Sequence, residues 1–416
     1  MKALRWLIVS GALFAAAASP RVASAAGSVA PLTLAEVVAL ATANNPTVEQ
    51  IVAQLDAARA DLAVARAVAN PEFEWRETRL DEAPPGEDAS SREFGIVQPV
   101  ELWGKRRARI AAANAALSAA EFAATAGQRE LVAGVTSSYI NVLSAQRALS
   151  LSEAALAGQR GIEEIAVQRV NAGEAPEIDR IRARTETLRA MRGAQDCQLD
   201  LFRAREELMT LCGRQLPSDF ILADILADPL PPWTGADQRE QMLEGNPELL
   251  QAGAVTEFNA RAVRAEARAW WPDVHIGLGM EQASGERSWN AAIGIALPFW
   301  QRNQGGVMAS NAAWRSARAE ETRLRQQLAA ELSIRTQEYE TARLQAEAFV
   351  DVLQSAAEAL RIETLLYREG EADFIALLEA QRAARDTEQE YLETLRTAHT
   401  ARAELTRITG TGGVAQ

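Results

Sequence analysis

The two halves of this 416-residue chain repeat each other at a nearly constant spacing. Asn45-Pro46 recurs 201 residues later as Asn246-Pro247, and Gly173 recurs 197 residues later as Gly370. Six such landmarks can be followed along the chain, and the offset between them drifts by only four residues. This agreement indicates a duplication. Each half must therefore be one structural unit of nearly 200 residues, far longer than a solenoid repeat.

The duplication predicts how the chain is divided into regions. We assign residues 27–213 to a first repeat and residues 237–410 to a second repeat. Residues 214–236 form a connector between them, and residues 411–416 form a C-terminal tail. The connector is rich in prolines, namely Pro217, Pro229, Pro231 and Pro232.

Most of each repeat has the composition of long helices. Residues 105–170 contain no proline and are dominated by Ala, Leu, Arg, Glu and Gln, which predicts a helix of up to about 100 Å. Residues 304–368 repeat this pattern in the second half. Further helices are predicted at 33–69, 177–212, 237–270 and 373–409. A single long, Ala-rich helix cannot bury a hydrophobic core by itself, so we expect these helices to pack side by side as coiled coils.

Each repeat also contains two short segments in which apolar residues alternate with small or polar ones. We predict strands at about 72–80, 91–99, 273–281 and 288–297. Alternation with period two over nine or ten residues is typical of strands that cross an outer membrane. The smallest such barrels have about eight strands, so four strands from one chain require several copies. Two soluble hairpins packed against helices are the alternative.

The first 26 residues have the three parts of a secretory signal peptide. Lys2 and Arg5 precede an apolar run of about 13 residues, and a stretch of small residues ends at Ala26. The run is shorter than the roughly 20 residues that a membrane anchor needs, so we predict cleavage near Ala25 and export of the rest. No apolar stretch after residue 26 reaches 18 residues, and we expect no transmembrane helix there.

Composition excludes several classes of function. The formal net charge is −13, and it becomes −16 without residues 1–26, which argues against a nucleic-acid partner. His275 and His399 are the two histidines, and no metal-ligand spacing, phosphate loop or nucleophile elbow accompanies them. We therefore predict no catalytic residues, no bound metal and no cofactor.

Cys197 and Cys212 lie about 22 Å apart along one predicted helix, too far for a disulfide.

Two related motifs follow the second and fourth predicted strands. They are Gln98–Arg106, with the sequence QPVELWGKR, and Leu297–Gly305, with the sequence LPFWQRNQG. Together with Leu32–Glu36 and Asn44-Asn45-Pro46, they resemble the outer membrane factor (TolC-like) family. The similarity is to the branch that serves cobalt–zinc–cadmium-type efflux pumps, and it extends over essentially the whole chain after residue 26.

The resemblance implies a fold, partners and a function. The fold would be mostly α with short transmembrane β: a homotrimer with a duplicated coiled-coil tunnel of 12 helices and a 12-strand β-barrel. The partners would be a periplasmic adaptor protein, an inner-membrane RND-type pump and outer-membrane lipid. The function would be an outer-membrane exit channel of a Gram-negative bacterium that exports heavy-metal cations, with most of its mass in the periplasm. A drug-efflux channel, a type I secretion channel and a soluble periplasmic coiled-coil adaptor or structural protein remain alternatives.

Two places in this fold carry the predicted site residues. The helix breaks at Gly173 and Gly370 lie a long helix away from the strands, so they should form the periplasmic tip. By resemblance, the tip holds the adaptor contacts Arg169, Gly173, Glu174, Tyr367, Gly370 and Glu371. It also holds the aperture residues Glu379, Asp373, Asp179 and Arg182. The turns from barrel to tunnel are predicted at Pro99, Gly104, Pro298 and Gly305, because proline stops a strand and glycine frees the backbone.

The aperture departs from the family pattern at one position. The family has two acids that follow the second tip glycine, at positions that correspond here to Ala376 and Glu379. The first acid is therefore missing, and Asp373 lies nearby. A ring of Glu379 carboxylates at a constriction would favour cations.

Overall fold

The computed structural model describes residues 31–79, 90–226, 230–233, 239–283 and 286–410. The signal peptide predicted for residues 1–26 and the tail predicted for 411–416 lie outside these described residues. No helix in the described part of the chain is both long enough and apolar enough to cross a membrane.

The described residues form eight helices and four strands, in the same order in each half. The first half contains α1 (Leu34–Asn44), α2 (Pro46–Arg66), β1 (Glu72–Arg79), β2 (Ser90–Val100), α3 (Lys105–Ala172) and α4 (Glu177–Leu211). The second half contains α5 (Arg239–Glu244), α6 (Pro247–Ala269), β3 (Val274–Ala283), β4 (Glu286–Ile295), α7 (Gln304–Glu369) and α8 (Phe374–Thr409). The predicted combination of mostly α-helix with four short strands is confirmed.

The segments predicted as single helices over residues 33–69 and 237–270 are each two helices, and both predictions are corrected. Thr33 begins α1 through the predicted capping box with Glu36. Asn45 then adopts an extended conformation, and its Oδ1 accepts a hydrogen bond from the Thr47 amide at 2.8 Å. Pro46 has no amide hydrogen to continue α1 but fits the first position of α2. The chain is therefore interrupted at residue 45.

The two Asn-Pro motifs have the same structural role in the two halves. The Asn45 side-chain amide donates to the Leu211 carbonyl at the end of α4, at 2.8 Å. The Asn246 side-chain amide donates to the Ile408 carbonyl near the end of α8, at 2.9 Å. Each asparagine thus caps a short helix and also satisfies a carbonyl at the end of a long one. This double role explains why the motif recurs in both repeats.

Asn246→Ala is expected to lower the free energy of unfolding by about 2 kcal/mol, because it removes a helix cap and leaves the buried Ile408 carbonyl unpaired. Thermal and urea denaturation of the purified protein measure this loss. Asn44→Ala is the matched control, since the exposed Asn44 side chain donates to the Leu40 carbonyl within its own helix. Equal stability of the two variants would contradict the role given to Asn246.

The four strands form one antiparallel sheet in the order β1-β2-β3-β4. Residues that share a register row point to the same face of a sheet, so the pairing defines two faces. One row contains Trp75, Phe94, Met280 and Trp289, and the row beside it contains Phe73, Ile96, Leu278 and Ala291. All of these lie on one face, which we call the apolar face. The alternation predicted from the sequence is thus continuous across all four strands.

The long helices pack side by side and meet at the end farthest from the sheet. Helix α3 contacts α2, α4, α6 and α8, and helix α7 contacts α6 and α8. A buried group of apolar side chains, which we call the tip cluster, lies where the long helices turn. It consists of Ile162, Ala166, Ala183, Tyr367, Phe374 and Leu377. Because all four long helices contribute to it, the two helical hairpins form one unit at this end.

Candidate functional site

The apolar face of the sheet is exposed in the single chain. Trp289 is 82% exposed, Phe73 is 70% exposed and Leu278 is 66% exposed. A continuous apolar surface of this kind is unfavourable in water, and it marks contact with a membrane or a partner. The face continues over two further rows of mainly apolar residues toward the helices. The hydrocarbon region of a lipid bilayer is the environment that suits such a surface.

Aromatic side chains gather where the sheet meets the helices. The rings of Trp103 and Trp271 are stacked with their centroids 4.9 Å apart, and Trp270 lies 4.5 Å from Trp271. Trp300, which follows β4, is 94% exposed. Tryptophan prefers the level of the lipid headgroups, where its ring is partly apolar and its N–H meets water. These residues mark an interfacial belt at the helical end of the sheet.

The opposite face of the sheet, which we call the inner face, carries small residues and acidic residues. It carries five carboxylates, from Glu72, Glu74, Glu93, Glu281 and Glu286, and one arginine, Arg76. Arg76 lies 3.3 Å from Glu93, which also accepts a hydrogen bond from Asn290 at 2.8 Å. Four negative charges per chain therefore remain on this face.

Gly279 keeps the centre of the inner face open. A side chain there would collide with the Asn290 amide and would come within 3.1 Å of the Phe94 carbonyl. Any larger residue would displace Asn290 from Glu93. The glycine therefore preserves both the ladder and the polar contact beside it.

The turns between sheet and helices are only partly those predicted. Gly104 adopts a left-handed conformation, with φ of 75°, and begins α3 as expected of a turn residue. Pro298 follows the end of β4, whereas Pro99 lies within β2, one residue before its end and opposite His275. The strand continues past Pro99 because a single missing amide hydrogen costs little at a strand end.

The prediction for Gly305 is corrected by the structure. Gly305 lies inside the first turn of α7, and the left-handed residue is Asn303, with φ of 54°. Asparagine tolerates this conformation better than most residues. Its side-chain amide also donates to the Glu266 carbonyl at 2.9 Å. The turn before α7 is therefore made by Asn303.

At the tip, both predicted glycines end their helices. Gly173 and Gly370 have φ of 78° and 84°, and their amides close the last turns of α3 and α7. A residue with a side chain is strained at such angles. Gly173, Glu174 and Glu371 are exposed, so the adaptor contacts predicted there have accessible side chains or backbone.

The Arg169 side chain, which is largely buried, connects the turn after α3 with the end of α7. Its Nη1 donates to the Tyr367 carbonyl at 2.6 Å, and its Nη2 donates to the Glu174 carbonyl at 3.3 Å. The guanidinium lies 4.7 Å from the centroid of the Tyr367 ring. A side chain at Gly370 would press against Nη2 at 3.2 Å. The Arg169 side chain thus contacts three other residues that were predicted for the tip, namely Tyr367, Glu174 and Gly370.

Two predicted roles at the tip require correction. Tyr367 is 1% exposed and packs against Phe374 in the tip cluster, so its side chain cannot contact an adaptor directly. Asp179 is 6% exposed and lies 3.9 Å from Arg182, so it does not line an open aperture. Both side chains turn toward the packed interior, where the four long helices surround them.

Burial also alters the chemistry of these two side chains. It raises the pKa of Asp179, and Asp373 adds to this effect, while Arg182 and Arg169 oppose it. Burial likewise raises the pKa of the Tyr367 hydroxyl, with Asp179 contributing. The Tyr367 hydroxyl has no hydrogen-bond partner among the described residues. The interior of the tip is therefore polar in part but poorly solvated.

The remaining aperture residues are accessible. Glu379 is exposed, and Arg182 is partly exposed. Asp373 caps α8, with its Oδ1 accepting from the Ile375 amide at 3.1 Å. The sequence did not point to an ion pair between Glu186 on α4 and Arg382 on α8, at 2.9 Å. The two residues are 196 positions apart, and nothing in their local sequence distinguishes them from other charged helix positions.

Comparison with known proteins gives a family and a fold. The family model described as "Outer membrane efflux protein" matches residues 37–214 and 239–411. The cobalt-zinc-cadmium resistance protein CzcC of Cupriavidus metallidurans is 28% identical over 91% of this chain and 90% of its own length. The nickel and cobalt resistance protein CnrC of the same organism is 26% identical over 68% of each chain.

Solved structures agree with this result. The outer-membrane channel OprN superposes with a TM-score of 0.79 at 20% identity, over 91% of this chain and 90% of that chain. Likeness at this level of identity shows the fold, which is that of the TolC-like channels. The matched segments include both helical hairpins and all four strands. The chain therefore belongs to the outer membrane efflux protein family and is an outer-membrane channel protein.

Proposed function

We propose that this chain forms the outer-membrane exit channel of a tripartite pump that exports heavy-metal cations. In this proposal the mature chain starts near residue 27, and its repeats, 27–213 and 237–410, flank the connector 214–236. Three copies assemble into a 12-strand barrel above a tunnel of helices. A periplasmic adaptor docks on the exposed tip residues and links the channel to an inner-membrane pump.

The open edges of the sheet support assembly. Within the described residues, β1 and β4 each pair on one side only. An unpaired strand edge in lipid leaves amide and carbonyl groups without partners, at a cost of several kcal/mol for each group. Pairing β4 of one copy with β1 of the next removes every edge. A closed ring also turns the apolar face outward and the inner face toward a lumen.

The charge of the inner face is the observation that carries the cation proposal. Five carboxylates and one arginine per chain would line the lumen of the barrel. Rings of carboxylates in a pore concentrate cations and repel anions. The relatives named for cobalt, zinc, cadmium and nickel resistance agree with this charge. The lumen would favour cations without selecting among them, so the choice of metal is assigned to the pump.

A deletion strain tests the proposed function. Loss of the gene is expected to increase sensitivity to Co²⁺, Zn²⁺ or Cd²⁺, and the full-length protein expressed from a plasmid should restore tolerance. Sensitivity to organic drugs with unchanged metal tolerance would favour a drug-efflux channel. Loss of a secreted protein would favour a type I secretion channel. A protein found in the soluble periplasmic fraction would contradict every channel proposal.

The triple variant Glu74→Gln/Glu93→Gln/Glu281→Gln is expected to lose most of its preference for cations over anions, because it removes three of the five inner-face carboxylates. The reversal potential of single channels in a planar bilayer under a salt gradient measures this preference. The control is Glu77→Gln, which removes a carboxylate from the apolar side of the same sheet. An unchanged reversal potential in the triple variant would contradict a selective role for the barrel lumen.

A further inference from the structure

A row of charged and polar residues ends the apolar face at the hairpin end of the sheet. In register order across the strands, the row consists of Glu77, Arg92, Gln282 and Arg287. Arg79 lies in the next row on the same side of β1. The Arg79 and Arg92 side chains are 76% and 59% exposed, and Arg287 is also exposed. We call Arg79, Arg92 and Arg287 the outer arginine row.

The position of this row relative to the membrane follows from the chain path. The helices leave the sheet at the ends of β2 and β4, so the hairpin end is the one farthest from the periplasmic tunnel. The row with Trp75, Phe94, Met280 and Trp289 lies two residues away, or about 7 Å along the strands. Two tryptophans and a phenylalanine mark the edge of the apolar band there. The outer arginine row therefore lies at the headgroup level of the outer leaflet.

The charge of the row favours anionic headgroups. Glu77 is the carboxylate beside these arginines, and it lies 3.2 Å from Arg79 and 3.7 Å from Arg92. Among the described residues of these two rows, one carboxylate stands against three guanidinium groups, so two positive charges remain there. Guanidinium binds phosphate with two parallel hydrogen bonds, and it is less strongly hydrated than an ammonium group. Neutral headgroups would leave this charge unmatched.

We propose that the outer arginine row binds the phosphates of the glycolipid in the outer leaflet of the outer membrane. The row surrounds the barrel on its lipid side, in contrast to Arg76, which faces the lumen and is paired with Glu93. The bound lipid would fix the height of the barrel in the membrane and seal its outer rim. This inference rests on the membrane placement of the sheet and is independent of which solute passes through the channel.

The experiment uses the full-length trimer in detergent and lipid A as the probe. Native mass spectrometry counts the lipid molecules retained by the wild type, by Arg92→Gln/Arg287→Gln and by the control Arg76→Gln. Each arginine near anionic lipid contributes modestly, so the double variant should bind bis-phosphorylated lipid A about ten-fold more weakly. The control should bind as the wild type does. Dephosphorylated lipid A should bind weakly to all three proteins, and inorganic phosphate should not displace bound lipid A.

Each outcome is decisive for the proposal. Equal retention by the double variant and the wild type, or retention that does not depend on the lipid phosphates, would overturn it. If the double variant does not assemble, Arg92→Gln and Arg287→Gln are measured singly, and each should lose part of the binding. Conductance is recorded on the same samples. A conducting channel without phosphate-dependent lipid binding refutes this inference alone, whereas a soluble monomer refutes the proposed function as well.

Discussion

Arg407→Ala is expected to lower the free energy of unfolding by about 3–5 kcal/mol, the largest loss predicted for a single substitution in this chain. Arg407 lies on α8, and its side chain is 11% exposed. It contacts Glu248 on α6 at 2.6 Å, Glu331 on α7 at 2.9 Å and Glu404 on α8 at 2.8 Å. Glu130 on α3 lies 4.0 Å away. One arginine therefore connects carboxylates from four helices and is the positive charge at the centre of their contacts.

The cost arises because the substitution leaves partly buried carboxylates without a counter-charge. Burial opposes the charged form of Arg407, but the hydrogen bond to Glu404 and the charges of Glu248 and Glu331 raise its pKa above the ordinary value. Burial raises the pKa of Glu248, with Glu130 and Glu331 adding to the effect and Arg407 opposing it. Without Arg407, ionised Glu248 faces two like charges in a poorly solvated position. Their mutual repulsion would then separate the helices.

The loss should depend on pH in a defined direction. An acid whose pKa is raised on folding destabilises the folded state when it is ionised, and this penalty disappears as the pH falls through the folded pKa. The Arg407→Ala variant should therefore be least stable, relative to the wild type, at pH 8. Its deficit should shrink as the pH falls toward 5, because Glu248 can then take up a proton.

Thermal and urea denaturation at pH 8 and pH 5 measure this dependence. Arg396→Ala is the matched control, since Arg396 lies on the same helix and pairs with Glu393 one turn away. A surface pair of this kind contributes less than about 1 kcal/mol. Equal losses in the two variants, or a deficit in Arg407→Ala that grows at low pH, would contradict the role assigned to Arg407.

The features that the sequence predicted correctly depend on local patterns. The strands were found because alternation with period two belongs to each strand by itself, as in the segment around Ile276 and Leu278. Strand ends were less accurate: β4 starts at Glu286, whereas the prediction began at residue 288. The ladder continues through Arg287 although this residue breaks the apolar pattern, because backbone pairing with Gln282 does not depend on side-chain polarity.

The features that the sequence did not predict depend on how distant helices are rotated against one another. The tip glycines were located, but the burial of Tyr367 and Asp179 follows from which side of each helix meets its neighbours. Arg407 has Thr210 at its equivalent position in the first repeat, so the duplication gave no indication of its role. The break between α1 and α2 could have been predicted from Asn45-Pro46 in the sequence. A proline after asparagine is a start signal for a helix as well as a stop signal.

Arg169→Ala/Arg382→Ala is expected to open the tip and to increase single-channel conductance severalfold. These two arginines make polar links near the tip between the hairpin α3–α4 and the hairpin α7–α8. Arg169 donates to the Tyr367 carbonyl from α3 to α7, and Arg382 pairs with Glu186 from α8 to α4. Both links hold the hairpins together in the arrangement that the structure shows.

The two links differ in strength. Arg382 is 51% exposed, so its ion pair contributes less than about 1 kcal/mol. Arg169 is 13% exposed, and a hydrogen bond from a charged donor in such a place contributes about 1.5–3 kcal/mol. Losing both shifts the balance between closed and open tips by about 3 kcal/mol, or about a hundredfold. The packing of α3 on α4 and of α7 on α8 lies within each hairpin and remains, so the hairpins should separate at the tip without unfolding.

Conductance in planar bilayers and the rate of proteolysis at the tip measure the opening. Arg180→Ala is the matched control, because Arg180 lies at the same tip but pairs with Glu177 within α4. Arg382→Ala alone should have a small effect, and Arg169→Ala alone should have most of the effect of the pair, since the buried link is the stronger one. If the double variant conducts like Arg180→Ala, apolar packing of Phe374 and Leu377 closes the tip by itself, and the polar links are not part of the gate.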